Sequence, residues 1–176
     1  MARQINILGF IALGSFVLGM IPSIGMWFSI IGMILTMILY SLVDKLGYGT
    51  NLFKINLYQW IAVIIPLLVL SLLGVNFAEA GNNRGVNLVL LGLCLVLLLF
   101  LAGVNYLVAK NLTLIGQKSS NLWFRVSGGL TKAGAYTMPV LIGLVFVMLA
   151  QPIFLLGCIA YKPQAATKDS VDNLIN

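Results

Sequence analysis

Apolar residues fall in five long runs, at 5–21, 25–43, 57–75, 86–108 and 135–161. Each is close to the ~20 residues that an α-helix needs to cross the hydrocarbon of a bilayer. Leu, Ile, Val and Phe follow one another without strict two-residue alternation, so the runs read as helices and not as strands of a closed barrel. The pattern predicts an all-α polytopic transmembrane bundle of about five spans, occupying residues 1–161, with a polar tail at 162–176.

The connections refine this layout. Only Pro22, Ser23 and Ile24 separate the first two runs, and Pro22 cannot continue a helix without losing a backbone hydrogen bond, so a tight helical hairpin is expected. The second run stops at Tyr40 to Lys45, before the turn-forming Gly47, Tyr48 and Gly49. The third opens with Tyr58 and Trp60, rings suited to the headgroup boundary, and carries Pro66 as an expected kink. A polar turn at 76–85 holds Glu79, Asn82, Asn83 and Arg84.

The stretch 109–134 mixes Leu112, Leu122 and Phe124 with Lys110, Lys118 and Lys132. It is expected to be an interfacial connection, with Trp123 and Arg125 as anchors, because a membrane-surface helix satisfies both its apolar and its cationic residues. The last run is 27 residues long and would reach ~40 Å, beyond the ~30 Å hydrocarbon core, so it must tilt, kink at Pro139 or Pro152, or project. Breaking it at Gln151 and Pro152 gives a six-helix alternative.

Composition agrees with a lipid-facing surface: 61% of residues are hydrophobic, 8% are charged, and the mean hydropathy is +1.07. The net charge of +6 comes from ten Lys and Arg that collect at the ends of the runs, which suits anionic lipid headgroups and gives no basic stripe for nucleic acid. With five spans, Arg3, Lys45, Lys54, Lys110, Lys118, Arg125 and Lys132 lie on the N-terminal side, against Arg84, Lys162 and Lys168 on the other. Such a bias places the N-terminus in the cytoplasm and the C-terminus outside. A re-entrant hairpin in the last run would instead return the tail to the cytoplasm. No A-x-A-like cleavage site follows the first run, so an uncleaved first helix is expected.

The halves echo each other weakly: Tyr40, Lys45, Gly47, residues 51–54 and Pro66 recur as Tyr106, Lys110, Gly116, residues 121–125 and Pro139. A parallel internal repeat and simple convergence of inward helix ends both account for it. The opening hairpin, Leu18-Gly19-Met20-Ile21-Pro22-Ser23-Ile24-Gly25 followed by Ile30-Ile31-Gly32-Met33-Ile34-Leu35, and the run from Phe124 to Gly134 into the last helix resemble a family of small integral membrane proteins of archaea and some bacteria, a domain of unknown function. The resemblance implies paired helices, a short basic loop and a prokaryotic cytoplasmic membrane, and it brings no catalytic residues.

Reactive groups are scarce. The chain has no His, and its four acids, Asp44, Glu79, Asp169 and Asp172, fall at helix ends, in a loop or in the tail; a metal site, a cofactor and enzymatic chemistry are not expected. Cys94 and Cys158 lie inside apolar runs and read as packing residues. Asn105 and Gln151 are the intramembrane polar candidates, as interhelical hydrogen bonders or as the lining of a small polar site. Gly9, Ser15, Gly19, Gly25 and Gly32 are helix-packing candidates, within the chain or against another protein. The leading expectation is a non-catalytic membrane scaffold or accessory subunit that packs against other membrane proteins or itself. The alternative is a passive pore or carrier for a small neutral solute or lipid.

Overall fold

A computed structural model of the protein describes residues 1–72 and 84–162, without the side chains of residues 62, 63 and 65–91. The polar turn around Glu79, the end of the third run and the tail beyond Lys162 lie outside the described residues. Among the described residues six α-helices follow in order: α1 (Ala2–Leu18), α2 (Gly25–Asp44), α3 (Leu52–Leu72), α4 (Arg84–Lys118), α5 (Leu122–Thr137) and α6 (Ile142–Ile159). No strand occurs among the described residues. The protein is a helical membrane bundle: α2, α6 and the part of α4 from Gly92 to Lys118 are each long and apolar enough to cross a bilayer.

Close approach of small residues sets the pairing of α1 with α2. A side chain at Gly25 would run into the carbonyl of Gly19, and Gly32 faces Ser15, whose Cβ lies 3.5 Å from where a Cβ at Gly32 would stand. Gly9 turns to α6, where an added Cβ would meet Cys158 Cβ at 2.9 Å. All five packing candidates thus pack within the chain, bringing backbones together in a medium where van der Waals contact, and not water exclusion, drives helix association.

Asp44 ends α2 and also starts α3. Its Oδ1 accepts from the Leu52 amide at 2.9 Å and the Thr50 hydroxyl at 2.7 Å, and its Oδ2 accepts from the Phe53 amide at 2.8 Å. These bonds satisfy amides that the first turn of a helix leaves without partners. Gly47 and Gly49, at φ of +80° and +75°, make the turn between the two helices.

Two expectations are corrected here. The stretch 109–134 is not a separate connection: α4 continues unbroken to Lys118, 35 residues in all, and α5 folds straight back along it. The reason is a stripe of Val104, Val108, Leu112 and Ile115, all buried, whose spacing of four, four and three is that of one helix face. The run 135–161 is not one helix. A 3₁₀ turn at Met138–Val140, holding Pro139, and Leu141 at φ +64° separate α5 from α6, whereas α6 passes through Pro152 without a break. A side chain at Gly143 would strike the Gly134 carbonyl and the Met138 backbone, so glycine lets this turn close.

α6 therefore runs antiparallel to α5: Ser127 meets Ala150, and Asn121 at the start of α5 donates to the Gly157 carbonyl near the end of α6 at 3.0 Å. It returns to the end of the bundle where α1 begins, through the fold-back of α5 along α4 and not through a hairpin within the run 135–161. Lys118 donates to the Tyr48 carbonyl at 3.0 Å and the Tyr48 and Tyr161 hydroxyls are 2.9 Å apart, so the ends of α2, α4 and α6 meet there. The proposed echo does not extend to equivalent surroundings: Tyr40 is buried against Phe154, whereas Tyr106 is exposed beside Tyr136.

The dry core is concentrated at this same end. Ile5, Leu39, Val43, Leu52, Leu112, Ile115, Phe124, Phe154 and Cys158 form one buried cluster, drawn from the first turns of α1, α3 and α5 and the last turns of α2, α4 and α6. Toward the opposite end, Met20, Met26 and Trp27 are exposed, and the helices leave space between them.

Candidate binding site

Above the core, five helices turn polar side chains toward a shared cavity of about 90 Å³. α3 contributes Asn56, Gln59 and Trp60, on one face by their spacing of three and four. α4 contributes Asn105, one turn and two turns before Val108 and Leu112 on the same side; α5 contributes Ser127 and Thr131, and α6 contributes Gln151. Tyr40 of α2 closes the base, held by ring contact with Phe154 at 4.8 Å between centroids. The volume has room for about three waters at ~30 Å³ each. Along the helix axes Gln151 lies about 12 Å before the end of α6 and Asn105 about 20 Å before the end of α4, at ~1.5 Å per residue, so the cavity is inside the bundle and away from its basic end.

The hydroxyls of the lining are already committed. Ser127 donates across the helix interface to the Ala150 carbonyl at 2.9 Å, and Thr131 donates to the Ser127 carbonyl at 2.8 Å. Asn105 Nδ2 donates to the Leu101 carbonyl at 2.8 Å; because a carbonyl can only accept, this fixes which end of the amide faces the helix. Asn105 Oδ1 has no protein partner and is not sealed off, so it opens on the cavity. The side chains of Asn56 and Gln59 make no hydrogen bond within the described protein, while Gln151 lies against the Tyr40 hydroxyl. No charged side chain lines the cavity. An ion there would lack the partner that offsets its desolvation, so the arrangement suits a neutral polar group.

A second, larger cavity of about 470 Å³ adjoins the first, between α1, α2, α3 and α6. Its walls are mainly apolar, with Phe16, Met20, Ile30, Met33, Met148 and Leu155 among them. Asn56, Trp60 and Gln151 line both spaces and so stand between the polar chamber and the apolar one.

Both intramembrane candidates, Asn105 and Gln151, are brought to the same polar chamber. Gly19 and Gly32 border the apolar one. Trp60, expected at the membrane boundary, is half-buried and stands between the two chambers, whereas Trp123 and Arg125 are exposed at the start of α5. Sequence reasoning missed Tyr40, Asn56, Gln59, Ser127 and Thr131. Their signal was polar residues at helical spacing, Asn56 with Gln59 and Ser127 with Thr131, in stretches read as a helix entrance and a surface connection.

Among the described residues no cluster of His, Cys, Asp and Glu could hold a metal ion. No protein-family profile matches the chain, and no curated protein or solved structure matches it either. The resemblance of the opening hairpin therefore brings no residue role to the cavities.

Proposed function

We propose that the protein is a non-catalytic membrane binding protein that holds and carries a small neutral amphiphile, its polar head in the chamber around Asn105 and Gln151 and its apolar part between α1, α2, α3 and α6. The observation that carries this reading is that an uncharged polar cavity and a larger apolar one share the wall formed by Asn56, Trp60 and Gln151. A solvent-filled pore would need a polar path through the bundle, and the larger chamber is apolar. The absence of His from the chain supports binding without chemistry.

The scaffold reading drew on the lack of reactive groups, the polar tail and faces of small residues, and Gly9, Gly25 and Gly32 of those faces are spent on contacts between α1, α2 and α6. Binding of a ligand within the chain is the better-supported of the two. In a cytoplasmic membrane, the end bearing Arg3, Lys45, Lys54, Lys118 and Arg125 faces the cytoplasm by the excess of cations in short connections. Because α6 returns there, both Ala2 and Lys162 sit on the cytoplasmic side in this reading.

The test is organic extraction of the protein purified from its own membrane in mild detergent. A neutral lipid enriched over the detergent blank, and lost from an Asn105→Leu/Gln151→Leu double variant that still folds, is the expected result. No enriched neutral species, or equal enrichment in the double variant, overturns the proposal.

A further inference from the structure

Resting on that reading, we propose that the ligand is an alcohol-headed amphiphile whose hydroxyl donates its proton to the wall formed by Thr131 and Asn105. Hydrogen-bond polarity in the chamber selects such a head. A hydroxyl has one proton and two lone pairs, and the Thr131 proton is taken by the Ser127 carbonyl. What remains at Thr131 Oγ1 is acceptor capacity. Asn105 spends an N–H on Leu101 and leaves its Oδ1 open to the cavity. Both residues are at most 4% exposed, so whatever occupies the cavity has to meet these acceptors, and an unmet buried acceptor is costly.

The opposite wall is adaptable. Asn56 and Gln59 keep whole amides free of protein partners, and each can turn either its N–H or its oxygen to the ligand. A head with acceptors alone, such as an ester or a quinone carbonyl, would satisfy these amides and leave the Thr131 and Asn105 oxygens unmatched. An alcohol serves both walls, giving its single proton to one oxygen of the Thr131 and Asn105 wall and its lone pairs to the α3 amides. The adjoining chamber of about 470 Å³, walled by Phe16, Met33 and Leu155, offers the apolar surface for the hydrocarbon part of the same molecule.

Trp60 stands between the chambers and reports occupancy directly. The full chain carrying Trp27→Phe and Trp123→Phe keeps Trp60 as its one tryptophan, and both replaced residues are exposed. It is titrated in detergent with a mid-chain-dibrominated long-chain alcohol and, separately, with the methyl ester of the same brominated chain. Bromine quenches the indole on contact. Quenching of Trp27 in a Trp60→Phe/Trp123→Phe variant corrects for simple partitioning. The alcohol is expected to quench Trp60 at about tenfold lower concentration than the ester, the ratio of one mismatched buried hydrogen bond. Thr131→Val should erase that preference, and Thr131→Ser should retain it; Asn105→Leu gives a second variant should Thr131→Val not fold. Equal quenching by alcohol and ester overturns the donor proposal while leaving the binding reading standing. Quenching of Trp60 by neither probe removes the binding reading, and this inference with it.

Discussion

Gly128 and Gly129 are adjacent on α5, yet their surroundings differ completely. A Cβ at Gly128 would lie 2.6 Å from Thr113 Oγ1, 2.9 Å from the Thr113 amide nitrogen and 3.1 Å from the Ala109 carbonyl, whereas nothing stands within 4 Å of a Cβ at Gly129. Ordinary contact needs about 3.5 to 4.0 Å, and two of the obstructing atoms are backbone of α4, so Gly128→Ala requires the two helices to part by roughly half an ångström to one ångström at their closest crossing. Such overpacking costs about 1–3 kcal/mol. Both substitutions gain the same ~1 kcal/mol of helix propensity, which cancels in the comparison. The purified variants, unfolded reversibly from mixed micelles by SDS and followed by tryptophan fluorescence, should therefore differ by about 1–3 kcal/mol, with Gly129→Ala the more stable. Separation of α4 from α5 also moves Asn105 and Thr131 apart, so Gly128→Ala should lose neutral-lipid retention where Gly129→Ala keeps it. Equal stability of the two variants would show that α5 does not lie along α4 as described.

Further outcomes follow from the same structure. Asp44→Ala should lower stability by about 0.5–2 kcal/mol through loss of the α3 cap, measured as a melting shift, with Asp44→Asn retaining part of it. Tyr161 follows the end of α6, and burial first, then its hydrogen bond to Tyr48, pushes its phenol above the usual range. A raised pKa means that the folded state keeps the proton while the unfolded chain loses it, so this contribution is intact below about pH 10 and is lost as pH rises further; Tyr161→Phe should flatten the alkaline loss of stability in a pH series of SDS titrations. Leu141 is exposed and holds φ at +64°, a conformation that costs a non-glycine residue about 1–2 kcal/mol, so Leu141→Gly should be neutral or stabilising by the same titration.

The hydrophobic runs revealed the helical membrane class and the opening hairpin because lipid imposes the same rule on every exposed position, and Pro22 leaves few alternatives. They were less informative about α4 and α5. There, Lys110, Lys118 and Lys132 mark exposed positions of helices whose other faces are buried, and averaging along the segment hid the stripe Val104, Val108, Leu112 and Ile115. The break between α5 and α6 falls at Pro139, one of the two kink sites expected from the sequence, but its tight reversal turns on Gly143, a residue whose meaning lies in how near the Gly134 carbonyl comes. For the site, Asn105 and Gln151 stood out as amides in apolar runs. Their meeting with Asn56, Gln59 and Thr131 depends on α5 folding back along α4, a long-range fact that no local pattern carries.

The central claim, that one chain encloses its own neutral ligand, is tested most directly by the intact mass of the particle released from mild detergent. The account predicts a single 19.1 kDa chain carrying one small neutral adduct, which the Asn105→Leu/Gln151→Leu variant lacks. A particle of several chains or subunits with no adduct, unchanged by those substitutions, would contradict it and return the protein to the scaffold reading.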